Sequence, residues 1–310
     1  MVQSTQYKYS EIFYSIQGEG AYTGVPTAWL RFFACNLQCN GFGQKDPTNP
    51  DTYELPYQDY DASKIDVIED LPVWDKGCDS SYSWSKKFKH LQREGTPDEI
   101  ADRIIDCIKT DSNPEGLFKH PHSLLDQHMC FTGGEPLMKL SQQASIDIHR
   151  SFTERKNYPK YITYETNGTQ PLQDSFVDYY MNSFKAGTVE ELFFSVSPKL
   201  WTVAGELNKR AIKPDVVASY FYSFAKSYNN VNGQLKFVVG DTQEQWDELE
   251  SHIQAFREAG LDWPIWIMPV GATLEGQEDM GGKVAKIAFE KGYNVSARVH
   301  THLFGNEIGT

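Results

Sequence analysis

Short apolar segments rich in β-branched and aromatic residues recur along this chain, with helix-patterned stretches between most of them. That alternation constrains the fold more than any other feature of the sequence. TAWLRFFA (27–34), QHMCFT (127–132), KYITYET (160–166), ELFFSVS (191–197), QLKFVVG (234–240), PIWIMPV (264–270) and NVSARVH (294–300) each read as a strand. Between them, Thr96 opens a capping box with Pro97 at the first helical position and Glu99 three residues on, and the helix that follows sets Ile100, Ile104 and Ile108 on one face. Another helix runs from Thr242, with Gln245 as its capping partner, through Trp246, Leu249, Ile253 and Phe256 to Gly260. Strands alternating with helices imply βα units on a parallel sheet. The expected fold is therefore α/β, a partial (open) β/α barrel with about six to seven mostly parallel strands. A doubly wound open sheet is the alternative, and both gather ligands at the carboxyl ends of their strands.

Polar, glycine-containing clusters sit at those ends. Phe131-Thr132-Gly133-Gly134-Glu135-Pro136 follows one strand, where paired glycines let backbone approach a ligand and the Glu135 carboxylate is placed to accept a hydrogen bond from an amine. Glu165-Thr-Asn167-Gly-Thr169, Ser197-Pro198-Lys199 and Met268-Pro269-Val270-Gly271 follow three others. Each alone is ordinary turn chemistry; their recurrence at successive strand ends points to one site. Upstream, the first strand runs into Cys35-Asn-Leu-Gln-Cys39, with Cys78 after 38 intervening residues. Three thiolates suit a 4Fe–4S cluster that keeps one iron open. Structural zinc competes for the same cysteines, although no fourth ligand lies beside them in sequence. Cys107, beside a helical apolar face, and Cys130, inside a strand, read as buried free thiols. Near the amino end lies Gln17-Gly18-Glu19-Gly20, and Arg31 stands among apolar neighbours in the first strand. A buried arginine needs an anion, here a substrate carboxylate or else Glu19 or Glu11 of the chain itself.

The chain has 310 residues, 40% hydrophobic and 23% charged, with a formal net charge of -13. The negative field opposes nonspecific binding to nucleic acid or anionic membrane, so a small-molecule substrate is expected, with no direct nucleic-acid contact. No apolar run reaches the roughly 18 residues of a membrane span. The opening residues lack a secretion-signal layout, and the free cysteines suit a reducing compartment, so a cytoplasmic location is expected. Residues 43–74 differ from the rest: eight Asp or Glu against two Lys, four prolines and no sustained period. They read as an acidic surface insertion within the cysteine loop, and the whole chain, 1–310, as a single domain.

In order along the chain, QGEG, Arg31, CNLQC, CDS (78–80), TGGEP, ETNGT and SPK resemble 7-carboxy-7-deazaguanine synthase, a family of the radical S-adenosylmethionine (SAM) superfamily. The similarity runs from about Glu11 to the C-terminus outside the insertion, and EIFYSIQGEGAYTGVPTAWLRFFACNLQC carries its most specific part. Two departures stand out. The general radical SAM pattern has its third cysteine three positions after the second, where this chain has Phe42; the continuation that resembles the family is Cys78-Asp79-Ser80, with Ser80 in place of threonine.

The resemblance implies a radical SAM barrel and a carbon–nitrogen lyase that contracts 6-carboxy-5,6,7,8-tetrahydropterin to 7-carboxy-7-deazaguanine with loss of ammonia, on a 7-deazapurine or queuosine-type pathway. It implies a 4Fe–4S cluster on Cys35, Cys39 and Cys78, SAM, and Mg2+ at Ser80. Ile16, Gln17, Gly18, Glu19, Arg31 and Thr132 would hold the pterin, with His300 and the terminal carboxylate of Thr310 as further candidates. Gly133, Gly134, Glu135, Asn167, Ser197, Pro198, Lys199, Met268, Pro269, Val270 and Gly271 would hold SAM. A flavodoxin-like electron donor and a homodimer are the implied partners. Alternatives are another radical SAM enzyme, such as a glycyl-radical activating enzyme acting on a protein, and an iron–sulfur electron carrier that binds no SAM.

Overall fold

The structure, a computed structural model, describes residues 5–224 and 228–309. One nine-stranded sheet runs through it, with strands β1 (Tyr7–Ile16), β2 (Pro26–Phe32), β3 (Arg93–Gly95), β4 (His128–Gly133), β5 (Tyr161–Thr166), β6 (Glu191–Val196), β7 (Val231–Val239), β8 (Ile265–Pro269) and β9 (Asn294–Val295). Their order, β3-β1-β2-β4-β5-β6-β7-β8-β9, is open, with β3 and β9 at its edges. From β2 to β9 every pairing is parallel, so the seven strands expected from the sequence form one parallel set. The hairpin partner β1 and the short β3 add an antiparallel edge. This is the expected open β/α architecture of mostly parallel strands.

Helices fill the crossovers as the apolar spacing requires. Helix Pro97–Cys107 opens with the full capping box: Thr96 Oγ1 accepts from Glu99 N at 3.2 Å and Glu99 Oε2 accepts from Thr96 N at 2.8 Å. Ile100, Ile104 and Ile108 are fully buried. In helix Gln243–Glu258 the apolar face is as expected, with Trp246, Leu249, Ile253 and Phe256 buried. Its start differs. Thr242 makes no side-chain cap, and Gln245 reaches back to accept from Gly240 N at 2.7 Å, tying the helix to the end of β7.

NVSARVH is strand only at Asn294–Val295 and then leaves the sheet. Ser296 N still donates to Ile267 O, but the Ser296 hydroxyl accepts from Gly20 N at 2.7 Å and Val299 N donates to Gly18 O at 2.9 Å. The chain continues as helix Val299–Phe304 across the carboxyl ends of the strands. Residues 43–74 form turns, three single-turn 3-10 helices (Pro50–Thr52, Ala62–Lys64 and Ile68–Asp70) and one short α-helix, Pro56–Asp59. Tyr57, Ile68, Leu71 and Trp74 bury themselves there with Tyr82, Phe88 and Leu91 in a small core separate from that of the sheet. Among the described residues no helix is long and apolar enough to cross a membrane.

Candidate active site

Strand alternation builds the site. Leu30, Phe131, Tyr164, Phe194, Leu235 and Ile267 face the main core, and their neighbours one residue along, Arg31, Thr132, Glu165, Ser195, Lys236 and Met268, line a cavity of about 310 Å³. The same cavity takes in Ile16 at the end of β1, Gln17, Gly18 and Glu19 from the loop after it, Cys35, Cys39, Cys78 and Ser80 from the cysteine loop, Gly133, Gly134, Asn167, Ser197, Lys199, Pro269, Val270 and Gly271 from the strand ends and their turns, and His300 from helix Val299–Phe304. Of the residues singled out in the sequence, Glu135 and Pro198 do not line it, and Thr310 lies outside the described residues. Gly18 is required by close approach: a Cβ there would collide with the His300 ring.

The three cysteines come together despite the 34 residues between Phe42 and Gly77. Gly77 N donates to Phe42 O at 2.8 Å, closing the neck of that long excursion and returning Cys78 beside Phe42, where the short pattern would have placed a cysteine. Glu206, buried beneath the loop, accepts from the backbone N–H groups of Gln38 and Cys39 at 2.7 and 2.9 Å. Cys35 Sγ accepts from Leu37 N at 3.4 Å, and Asn167 Nδ2 lies 3.9 Å from it. Ala34, with φ of 106°, holds a conformation that L-residues rarely adopt, and Cys39 sits in the left-handed region at 53°. Burial pushes the Cys35 thiol up to about 12 and raises Cys39 and Cys78 as well. Such thiols are neutral unless a metal charge stabilises the thiolate, which is how an iron–sulfur cluster would be held. Three thiols lining one cavity, with N–H donors on the Cys35 sulfur, suit the three-thiolate count of such a cluster, while among the described residues no group of three His, Cys, Asp or Glu is placed to hold a single metal ion. Ser80 Oγ lies 3.6 Å from Cys78 Sγ, so its hydroxyl is at the cluster loop as well.

The Gly-Gly turn docks directly on this loop. Gly134 N donates to Phe32 O and Glu135 N to Ala34 O, and a Cβ on Gly134 would collide with the Ala34 carbonyl. Glu135 is engaged within the chain itself. Its carboxylate is fully buried and accepts from Leu137 N, Thr166 Oγ1 and Asn167 N at 2.9, 2.7 and 2.8 Å, so it ties the ends of β4 and β5 together. Asn167 in turn donates to Asn36 at 3.1 Å, linking the ETNGT turn to the cysteine loop. Lys199 donates to Ser197 Oγ at 2.9 Å and lies over the Phe42 ring. Gln277, which the sequence did not bring forward, holds the Pro269 and Gly271 carbonyls and fixes the last turn.

A charge network crosses the cavity floor. Lys236, almost fully buried, is bonded to Glu19 and lies 3.7 Å from Glu165. Arg298 reaches Glu19 at 3.2 Å and Asp79 at 3.1 Å. Burial alone would raise Glu19, but Lys236 and Arg298 outweigh it and hold its carboxyl well below the usual range. Burial brings His300 down to about 4, so its imidazole is neutral at neutral pH. For Arg31 the partner in the structure is Glu11, at 2.5 Å from Nε, with the Tyr82 hydroxyl donating to the same carboxylate oxygen at 3.0 Å. The internal ion pair is formed, and the arginine still lines the cavity. Lys236 and Arg298, which line the cavity, and Glu206, which holds the cysteine loop, lie outside every motif read in the sequence. For Lys236 the signal was present, a cation at an inward position of the apolar run QLKFVVG.

No family model matches the sequence. Curated proteins do. The chain is 25% identical over 318 aligned residues to the 7-carboxy-7-deazaguanine synthase of Halobacterium salinarum, spanning 96% of this chain and 90% of that one. It is 26% identical over 317 residues to that of Rhodopirellula baltica, spanning 97% and 88%, and 21% identical over 304 residues to that of Leptospira interrogans, spanning 96% of each. Four further curated relatives carry the same description. Among solved structures, the chain aligns with the crystal structure of QueE from Escherichia coli at a TM-score of 0.48 and 17% identity, over 95% of both chains.

Proposed function

We propose that this chain, a homologue of the 7-carboxy-7-deazaguanine synthases, is a radical SAM enzyme that contracts 6-carboxy-5,6,7,8-tetrahydropterin to 7-carboxy-7-deazaguanine with release of ammonia. The observation that carries the reading is that Cys35, Cys39 and Cys78 line the same cavity as Gln17, Glu19 and Arg31. A 4Fe–4S cluster with SAM supplies the one-electron chemistry that removes a hydrogen atom from the pterin and later returns it.

The chain's own residues bind and orient. The three thiols would hold the cluster, with the Leu37 N–H group set on one sulfur and Glu206 fixing the loop backbone. The exposed backbone of Gly133 and Gly134, the Ser197 hydroxyl, Lys199, Asn167 and the Met268–Gly271 turn would hold SAM. Glu135 acts behind them as a positioning residue. Glu19, kept anionic by Lys236 and Arg298, would accept from pterin N–H groups, and Gln17 offers an amide beside it. Arg31 would take the substrate carboxylate with Mg2+ at Ser80, while Glu11 and Tyr82 steady its guanidinium. The Val299 N to Gly18 O bond ties the start of helix Val299–Phe304 to the loop after β1, which sets His300 and Thr301 on the wall of the cavity. A flavodoxin-like donor would reduce the cluster, and the active form is a homodimer.

The test is anaerobic reconstitution with iron and sulfide, then incubation with reductant, SAM, Mg2+ and 6-carboxytetrahydropterin, with products read by mass spectrometry. The mass of 7-carboxy-7-deazaguanine is the expected result. 5'-Deoxyadenosine without that product would overturn the substrate, and a chain that takes up no cluster would overturn the class.

A further inference from the structure

The segment after Cys78 folds back toward its own sulfur. Ser81 N donates to Cys78 O at 3.1 Å, Ser83 N to Ser80 O at 2.9 Å and Trp84 N to Ser81 O at 3.2 Å. These successive turns return Trp84 to the cavity that Cys78 lines. Ala34 N donates to Ser83 O at 2.8 Å and ties the turns to the residue before Cys35. The indole Nε1 of Trp84 is buried with no oxygen or nitrogen partner among the described residues. An indole N–H can only donate, and a donor left orphaned in the interior is unfavourable. The acceptor at hand is a sulfur. Burial and the neighbouring Asp79 carboxylate push the Cys78 thiol up, and the Trp84 indole and the Ser80 hydroxyl act against them. In the proposed function Ser80 turns to Mg2+, which leaves Trp84 as the side-chain donor to that sulfur.

The direction of the ring is set by residues 43–74. Tyr57, in helix Pro56–Asp59, meets Trp84 edge-on with ring centroids 5.7 Å apart, and its hydroxyl donates to Asn40 Oδ1 at 3.2 Å, beside Cys39. Trp84 packs on the small core that Tyr57, Trp74 and Phe88 build. Trp74 belongs to that core and also has a buried Nε1 without a partner among the described residues, but it does not line the cavity.

We infer that Trp84 is a positioning residue of the cysteine site: its indole N–H donates to the Cys78 thiolate and raises the reduction potential of the cluster, with Tyr57 aiming the ring. The inference rests on the proposed function, because it concerns the cluster that the three cysteines would hold. A thiolate accepts a stronger bond as its negative charge grows, so the donor favours the reduced cluster, which carries one electron more, over the oxidised one. Residues 43–74 thereby act on the site through one ring contact.

The test is a redox titration of the cluster-loaded chain without SAM, followed by EPR. Trp84→Phe keeps a ring against Tyr57 and loses the donor. Its midpoint is expected to fall by roughly 59 mV, a tenfold change in a one-electron equilibrium, at unchanged iron content. Tyr57→Ala, which frees the ring, should move the midpoint the same way by less. Trp74→Phe, which takes an indole N–H from the same core, should leave it where it is. A second measurement uses the native chain labelled with indole-15N tryptophan. Pulsed EPR of the reduced cluster should show a 15N coupling that persists in Trp29→Phe, Trp29 being the other tryptophan that lines the cavity. An unchanged midpoint in Trp84→Phe, or an equal fall in Trp74→Phe, would overturn the inference. If Trp84→Phe takes up too little iron to titrate, the label decides: the coupling supports the inference and its absence overturns it. A native chain that takes up no cluster would instead overturn the proposed function.

Discussion

Lys236 is buried between two carboxylates, and its removal strands both of them. Lys236→Met is expected to cost about 3–5 kcal/mol of stability, the range for breaking a buried ion pair. Adding Glu19→Gln should recover part of that loss in denaturant titrations, because one stranded charge is then gone. His128 makes a different prediction. Burial lowers it to about 4 from its ordinary 6.5, while its ring stacks on Tyr161 at 4.9 Å. Between those two pH values the unfolded chain holds the proton that the folded chain refuses, so stability is lost as pH falls from 6.5 toward 4. His128→Phe keeps a ring in the stack and removes the titration; its melting temperature should fall less than the native one between pH 7 and pH 5. At this scale the sequence was readable where a motif stood in one stretch, as for Gln17 and Gly134. Glu206 was not, because its role depends on a fold that brings it under residues more than 160 positions away. The bonds that Glu135 makes to Thr166 and Asn167 were not legible either, since nothing local shows which way a side chain turns.

The elements of the cysteine loop are where composition and structure can be separated by experiment. Cys35→Ala and Cys78→Ala should each abolish iron uptake on reconstitution, whereas Cys107→Ala should leave it unchanged; equal iron content across the three would refute the three-thiolate assignment. Trp74→Ala opens a cavity in the small core under residues 43–74, at an expected cost of about 3–5 kcal/mol to that core. Because this core flanks the segment that returns the chain to Cys78, iron content should fall with it. Helix Pro97–Cys107 was legible down to its cap, since a capping box and a 3.6-residue apolar spacing are written within a dozen residues. NVSARVH was misread beyond Val295 because its alternation is that of a strand, while Ser296 and Val299 find their partners in Gly20 and Gly18, far away in sequence. The antiparallel edge was not legible because the alternation of β1, YKYSEIFYSI, breaks at the register shift between Tyr9 and Glu11.

Over the whole molecule, the parallel set and the place of its main cavity followed from alternation alone, since any open β/α sheet collects its strand-end loops on one side. What alternation could not supply was the inward polar face, which becomes visible only when adjacent strands are put in register. The closure of the neck between Phe42 and Gly77 has a consequence of its own. A signature defined by counting residues between cysteines describes distance along a string, yet the requirement that the site imposes is distance in space. A neck that seals itself separates the two. The neck, not the length of chain it encloses, sets where Cys78 returns, so a segment of another length whose ends meet there and whose own core holds can keep the sulfurs in place while it gives the site a different wall, here Gly43, Val73 and Asp75.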